Sequence, residues 1–206
     1  MTRIPSATVV LASSNAGKLS EIQAILAPTG LNVRSQTDFN VSDVAETGST
    51  FVENAIIKAR QVARVTGLPA LADDSGLCVD ALDGEPGVHS ARYAGEHACD
   101  ADNAAKLLAA LKDVPDARRT ARFQCVIVLM RRAGDPMPLI CTGTWEGTIQ
   151  TEATGHNGFG YDPVFHVPGH DRSAAELDPE IKNRLSHRGK ALALLKQQLE
   201  TALKTT

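Results

Sequence analysis

Apolar residues fall in short runs separated by polar, glycine-containing islands, and their spacing predicts strands alternating with helices. Thr8 to Ala12 reads as a buried strand. After the polar turn Ser13-Ser14-Asn15-Ala16-Gly17, Leu19, Ile22, Ile25 and Leu26 recur at helical spacing until Pro28 and Gly30 end the pattern. Asn32 to Ser35 predicts a second short strand, and residues 36 to 49 an irregular, solvent-facing stretch. Thr50-Phe51-Val52-Glu53 matches a capping box, in which the threonine oxygen takes the third helical N–H and the glutamate reaches back. It opens a helix striped by Ala55, Ile56, Ala59, Val62 and Ala63 to about Val65, before Gly67-Leu68-Pro69 breaks it.

Pro69 to Ala72 predicts a short strand running into a tight turn at Ser75-Gly76, with Leu77 to Leu82 returning as a strand. A helix is expected over Asp102 to Leu111, and the strongest strand over Ala121 to Met130. Pro138 to Thr148 predicts one or two further strands, turned or bulged at Gly143 and Gly147. Asp171 to Pro179 reads as helical or turn-like with Ser173 as a cap. The last helix begins near Ser186 or His187 and uses Ala191, Leu194, Leu195, Gln198 and Leu199. Interleaved helices and strands argue an α/β fold, and the consecutive strands after residue 120 argue a mixed sheet with antiparallel members. No repeat or linker divides the 206 residues, which suit one generous domain, 1–206, or two tightly joined lobes.

Composition narrows the partners. Hydrophobic residues make up 43% and aromatics only 4%, so aliphatic side chains must fill the core. A net charge of -3 gives no general attraction for a nucleic-acid backbone. Cys78, Cys99, Cys125 and Cys141 form no CxxC pair and read as reduced thiols, not as a disulfide framework or zinc site. Arg3 and Ile4 to Ala7 precede an apolar stretch, Val9 to Ala12, too short for a signal peptide or membrane span. A soluble cytoplasmic protein is the expectation.

Three islands carry chemistry. Ser14-Asn15-Ala16-Gly17-Lys18 lies between a strand and a helix start, where amides without helical partners suit an anion and Lys18 adds charge. The GxxxxGK[ST] spacing of a P-loop is absent, and the same residues serve equally as a helix cap. Asp73 and Asp74 follow an apolar strand, so their side chains would point to opposite faces. Carboxylate oxygens suit Mg²⁺, which keeps few protein ligands, and Glu46 and Glu53 are further acids. Gly158-Phe159-Gly160-Tyr161-Asp162-Pro163 sets two aromatics among glycines: either ring could stack on a purine, or both could be core. Trp145 could line the same cavity. Asp162 could bind a base N–H, orient Arg188 or close a turn. Lys182, His187 and Arg188 make a second polar cluster, with His187 and Arg188 expected to face outward from the first turn of the last helix.

Taken in order, these islands resemble the Ham1-like (RdgB-type) inosine/xanthosine triphosphate pyrophosphatase family. The likeness rests on Ser14 to Lys18, Glu46 to Ala55, Ala72 to Gly76, Pro86-Gly87 with Ser90 to Tyr93, Phe159 to Pro163, and Ser186 to Gly189. Ser13-Ser14 stands where many relatives have Thr-Gly, and His156-Asn157 replaces a commonly glycine-containing approach. The resemblance implies an elongated mixed α/β fold with two lobes around a central cleft, usually a homodimer. It implies Mg²⁺-dependent cleavage of ITP, dITP and XTP to the monophosphate and pyrophosphate. It places Ser13, Ser14, Asn15, Ala16, Gly17 and Lys18 at the phosphate end, and makes Asp74 the proton acceptor and a metal ligand with Glu46. Ser75, Phe159, Gly160, Tyr161, Asp162, Lys182, His187 and Arg188 are implied substrate contacts. A non-catalytic purine-nucleotide-binding module is the alternative.

Overall fold

A computed structural model describes residues 8–204; the reading of Arg3 to Ala7 lies outside them. Strands β1 (Thr8–Leu11), β2 (Asn32–Ser35), β3 (Ala70–Val79), β4 (Thr120–Met130), β5 (Leu139–Ile149), β6 (Phe165–Val167) and β7 (Arg172–Ser173) form one sheet in the order β2-β1-β3-β4-β5-β6-β7. β1 runs parallel to β2 and β3, whereas β6 is antiparallel to β5 and β7. This is the mixed α/β sheet expected. Five α-helices accompany it among the described residues: α1 (Ala16–Leu26), α2 (Phe51–Thr66), α3 (Asp100–Ala110), α4 (Pro179–Leu185) and α5 (His187–Lys204). None is long and apolar enough to cross a membrane.

The chain divides into two compact units. The first takes the residues up to 74, 125–143 and those from 188 onward; the second takes 75–124 and 144–187. In the first unit the apolar runs are buried on both faces, and residue parity sorts them. Val9, Leu11, Leu71, Cys125, Ile127 and Leu129 pack with Ile22 and Leu26 of α1 and Ala191, Leu192 and Leu195 of α5. Val10, Ala12, Ala70, Ala72, Val126, Val128 and Met130 pack with Ala55, Ala59, Val62 and Ala63 of α2. Successive strand residues point to opposite faces, so each continuous run supplies two cores at once. The second unit buries Leu77, Val79, Leu107, Leu111, Phe123, Trp145, Ile149, Tyr161 and Phe165 in one cluster.

The capping box of α2 is present in full: Thr50 Oγ1 accepts from the Glu53 amide, and Glu53 accepts from the Thr50 amide. Three readings need correction. Asp73 to Gly76 is no turn: β3 is continuous from Ala70 to Val79, and Gly76 is buried inside it. The turn reading followed from residue type, but ladder pairing and burial on both sides hold the backbone extended. Likewise β5 is a single strand through Gly143 and Gly147. A Cβ on Gly147 would collide with the Phe165 ring and the His166 carbonyl, so that glycine admits close packing and ends nothing. Gly147→Ala is therefore expected to cost about 1–3 kcal/mol, read as a lowered urea midpoint; an unchanged midpoint would refute the packing argument. Residues 171–179 are turn-like as expected, with Ser173 the N-cap of a single 3-10 turn at Ala174–Glu176; the end strand β7 precedes it and α4 starts only at Pro179. On α5, Leu192 is buried while Leu194 is 43% exposed.

Candidate active site

Strand parity decides the fate of the two adjacent aspartates. Asp73 continues the odd face of Leu71 and meets the starts of α1 and α5. Its carboxylate binds Lys18 Nζ at 2.8 Å and Arg188 Nε at 2.8 Å, and accepts from Cys125 Sγ at 3.3 Å. Arg188 is also bound to Glu21 at 2.6 Å. Burial would raise the Asp73 pKa, but Arg188 and Lys18 outweigh it and hold the carboxyl well below its usual range. Asp73 is thus an anion at neutral pH, paired with Arg188 and Lys18.

Asp74 continues the even face of Ala70 and Ala72 and meets α2. Its Oδ1 accepts from Lys58 Nζ at 2.5 Å, and the same ammonium reaches Glu46 Oε1 at 2.9 Å and the Asp73 carbonyl at 3.0 Å. Asp74 Oδ2 is buried with no hydrogen-bond partner. Burial therefore raises the Asp74 pKa despite the neighbouring Lys58. Burial also opposes charge on Lys58, but Asp74 and Glu46 prevail and its pKa rises. A recess of about 60 Å³ adjoins, lined by Glu46, Lys58, Asp43, Gln36 and Gln61 among others. It has room for an ion or a few waters, far below the ~300–1,000 Å³ of a pocket for a drug-sized ligand.

The loop carrying Glu46 is tied to the first turn of α2. The Gly48 amide donates to Asn54 Oδ1 at 2.8 Å, and any Cβ on Gly48 would collide with Glu53 and Asn54. In the first island Asn15 is the N-cap of α1, its Oδ1 accepting from the Lys18 amide at 2.9 Å. One of the amides expected to serve an anion is therefore already used. Ser13 Oγ accepts from the Asn15 amide, and Ser14 Oγ donates to Asp43. Ala16 and Gly17 open the helix and are exposed.

The second unit gathers the remaining candidates. Asp162 Oδ2 accepts from the Phe159 amide at 2.8 Å and from Lys182 Nζ at 2.7 Å, so it closes its own turn and anchors a buried lysine. Lys182 Nζ lies 5.1 Å from the centre of the half-buried Phe159 ring. Gly158, at φ 79°, has no room for a Cβ beside Asp162. The Gly160 amide donates to Asp100 at 2.7 Å. Tyr161 is core, its hydroxyl donating to the Ser90 carbonyl at 2.8 Å, and Trp145 is buried against Phe123 and Phe165. The half-buried Ser75 follows Asp74 in β3.

His187 and Arg188 do not face outward: their exposures are 6% and 2%. His187 stacks on Phe123 at 4.8 Å, and the cost of Arg188 at a helix N-terminus is met by Asp73 and Glu21. Residue-by-residue reading missed Lys58, Glu21, Asn54 and Asp100. Lys58 was detectable, since positions 55, 58, 59 and 62 share one face of α2 and a lysine on an apolar stripe demands a carboxylate. Glu21 and Asp100 carried no such local signal.

Comparison with known proteins bears on this arrangement. The profile of the Ham1 family matches residues 9–198. A dITP/XTP pyrophosphatase of Vibrio parahaemolyticus is 61% identical over 191 residues, covering 93% of this chain and 96% of its own. The solved structure of a HAM1 protein from Coxiella burnetii superposes with a TM-score of 0.89 at 56% identity, covering 95% and 99% of the two chains. That of the Staphylococcus aureus Ham1 protein gives 0.84 at 42% identity over the same shares. With nearly all of β1 to α5 inside the matched span, and every island in it, the chain belongs to the Ham1 family.

Proposed function

We propose that the chain hydrolyses the non-standard purine nucleoside triphosphates ITP, dITP and XTP at the α-phosphorus, releasing the monophosphate and pyrophosphate. Its kinship with a dITP/XTP pyrophosphatase supports this reading. The observation that carries it is the division of labour on β3: Asp73 is paired with the buried Arg188 and the half-buried Lys18, while Asp74 keeps a buried carboxylate oxygen with no partner. A buried, unsatisfied carboxylate costs stability, and such groups concentrate where chemistry needs them.

Glu46 and Asp74 would hold Mg²⁺. Among the described residues no three His, Cys, Asp or Glu side chains gather as a metal cage, and Mg²⁺ asks for none: one or two carboxylates plus substrate phosphates suffice. The orphaned Asp74 oxygen fits that demand. When bound, the ion offsets triphosphate charge and helps orient the α-phosphorus. Asp74 accepts the proton of the attacking water. Lys18, positioned by Asp73, and the Ala16 and Gly17 amides at the start of α1 stabilise charge on the phosphate oxygens. In the second unit, Phe159 offers a ring for stacking, and Lys182 and His187 are held in place by Asp162 and Phe123. Ser75, Gly160, Tyr161 and Arg188 are carried over as substrate contacts from the family, Tyr161 and Arg188 acting from buried positions. The enzyme works on free nucleotides in the cytoplasm, as a homodimer.

The test is turnover of ITP, XTP, dITP, GTP and ATP with Mg²⁺, with products identified. Pyrophosphate from the first three, at least about tenfold faster than from ATP, is expected, since a donor facing adenine's 6-amino group goes unpaired at ~1–3 kcal/mol. Binding of ITP without turnover would favour a nucleotide-binding module, and orthophosphate as product a general triphosphatase.

A further inference from the structure

We propose that Lys58 is an internal counter-cation that occupies the Glu46–Asp74 site when no divalent ion is bound and yields it when one arrives. The proposal rests on the reading of that pair as the metal site. Lys58 Nζ is surrounded by oxygens of three residues: Glu46 Oε1 at 2.9 Å, Asp74 Oδ1 at 2.5 Å and the Asp73 carbonyl at 3.0 Å. An ammonium has three donors, and these contacts use all of them. The lysine therefore has nothing left for Asp74 Oδ2, which stays buried and unpartnered. A cation with more coordination positions satisfies the oxygen set that the ammonium leaves incomplete.

Lys58 leaves α2 from the face that buries Ala55, Ala59 and Val62, and its side chain is only 13% exposed, so its head starts from beside the carboxylates. The adjoining recess, with Asp43 and Gln61 in its wall, gives a displaced head room and polar company. Two carboxylates around one site repel each other, and the ammonium offsets that repulsion in the metal-free protein. The same charge lowers the affinity of the site for a free ion, so that a metal already carried by a polyphosphate has the advantage.

The experiment is calorimetric titration of nucleotide-free protein with MgCl2 alone, for the wild type, Lys58→Met and Lys58→Gln, with thermal unfolding in and out of Mg²⁺. Both variants are expected to bind Mg²⁺ about tenfold or more tightly than the wild type, and to gain more in Tm from it. Unchanged or weaker Mg²⁺ binding in a cooperatively unfolding variant overturns the proposal, as does a gain that survives Glu46→Gln. A crystal of the wild type with Mn²⁺ gives a reading that no variant's folding can obscure. An ion on Asp74 with Lys58 drawn away from both carboxylates supports the proposal, and an ion there with Lys58 unmoved overturns it. ITP turnover by the wild type separates the two readings: turnover without the affinity gain removes the role of Lys58 alone, and absence of turnover removes the enzyme.

Discussion

Asp74→Asn is expected to slow pyrophosphate release from ITP by about 10²–10⁴-fold while the protein stays folded. Asparagine keeps the shape of the side chain and an oxygen for the Lys58 ammonium, but it accepts no proton from water. Stability should be unharmed. The folded pKa of Asp74 is raised, so ionised Asp74 opposes folding as pH rises through and above its ordinary 3.8, and the amide removes that opposition. Lys58 retains Glu46 and the Asp73 carbonyl as partners. Single-turnover kinetics with ITP, equilibrium binding of ITP and urea unfolding together check the split. A variant turning over within about tenfold of the wild type would remove Asp74 from the chemistry.

One residue earlier, the same substitution should do the opposite. Asp73→Asn takes from the buried Arg188 the carboxylate at 2.8 Å, leaving it Glu21 at 2.6 Å, and takes from Lys18 the carboxylate at 2.8 Å. Breaking a buried pair on one side costs about 3–5 kcal/mol, and at ~2–4 °C per kcal/mol the midpoint should fall by roughly 10 °C. The loss depends on pH. Asp73 has its folded pKa depressed well below 3.8, so its stabilisation is complete above that value and disappears as pH falls from about 4 through the lower folded pKa. Wild type and Asp73→Asn should differ most near pH 7 and converge in acid. Urea midpoints compared at pH 7 and about pH 3 measure this, and a gap that stays constant between them would show that the carboxylate's charge is not what the ion pairs supply.

The contrast between these neighbours shows what could be read without a structure. The alternation of side chains along a strand was legible, and it already placed Asp73 and Asp74 on opposite faces. Which face would become structural was not, because Arg188 lies 167 residues from Glu21 in the chain and such pairing is a property of packing. The apolar run from Cys125 to Met130 reads as a buried strand at sight, but its two-sided burial appears only when α2 takes one face and α1 and α5 the other. His187 and Arg188 were misread as surface for the same reason. A polar residue at a helix start is solvated unless something covers it, and local sequence does not say what covers it. Tyr161 and Trp145, left open between pocket and core, are core, since a glycine-rich loop can bury a ring as readily as present one.

The sequence by itself determined the longer helices and strands, the α/β class with its mixed sheet, the capping box of α2 and the family, because each depends on periodicity or on ordered short motifs that survive without knowledge of distant contacts. Only the tertiary structure decided that Asp-Asp-Ser-Gly runs straight through the sheet, that Lys58 joins Glu46 to Asp74, and that one aspartate is neutralised while its neighbour keeps an unsatisfied oxygen. Those outcomes turn on which charges are buried together, and burial is settled by the whole chain at once.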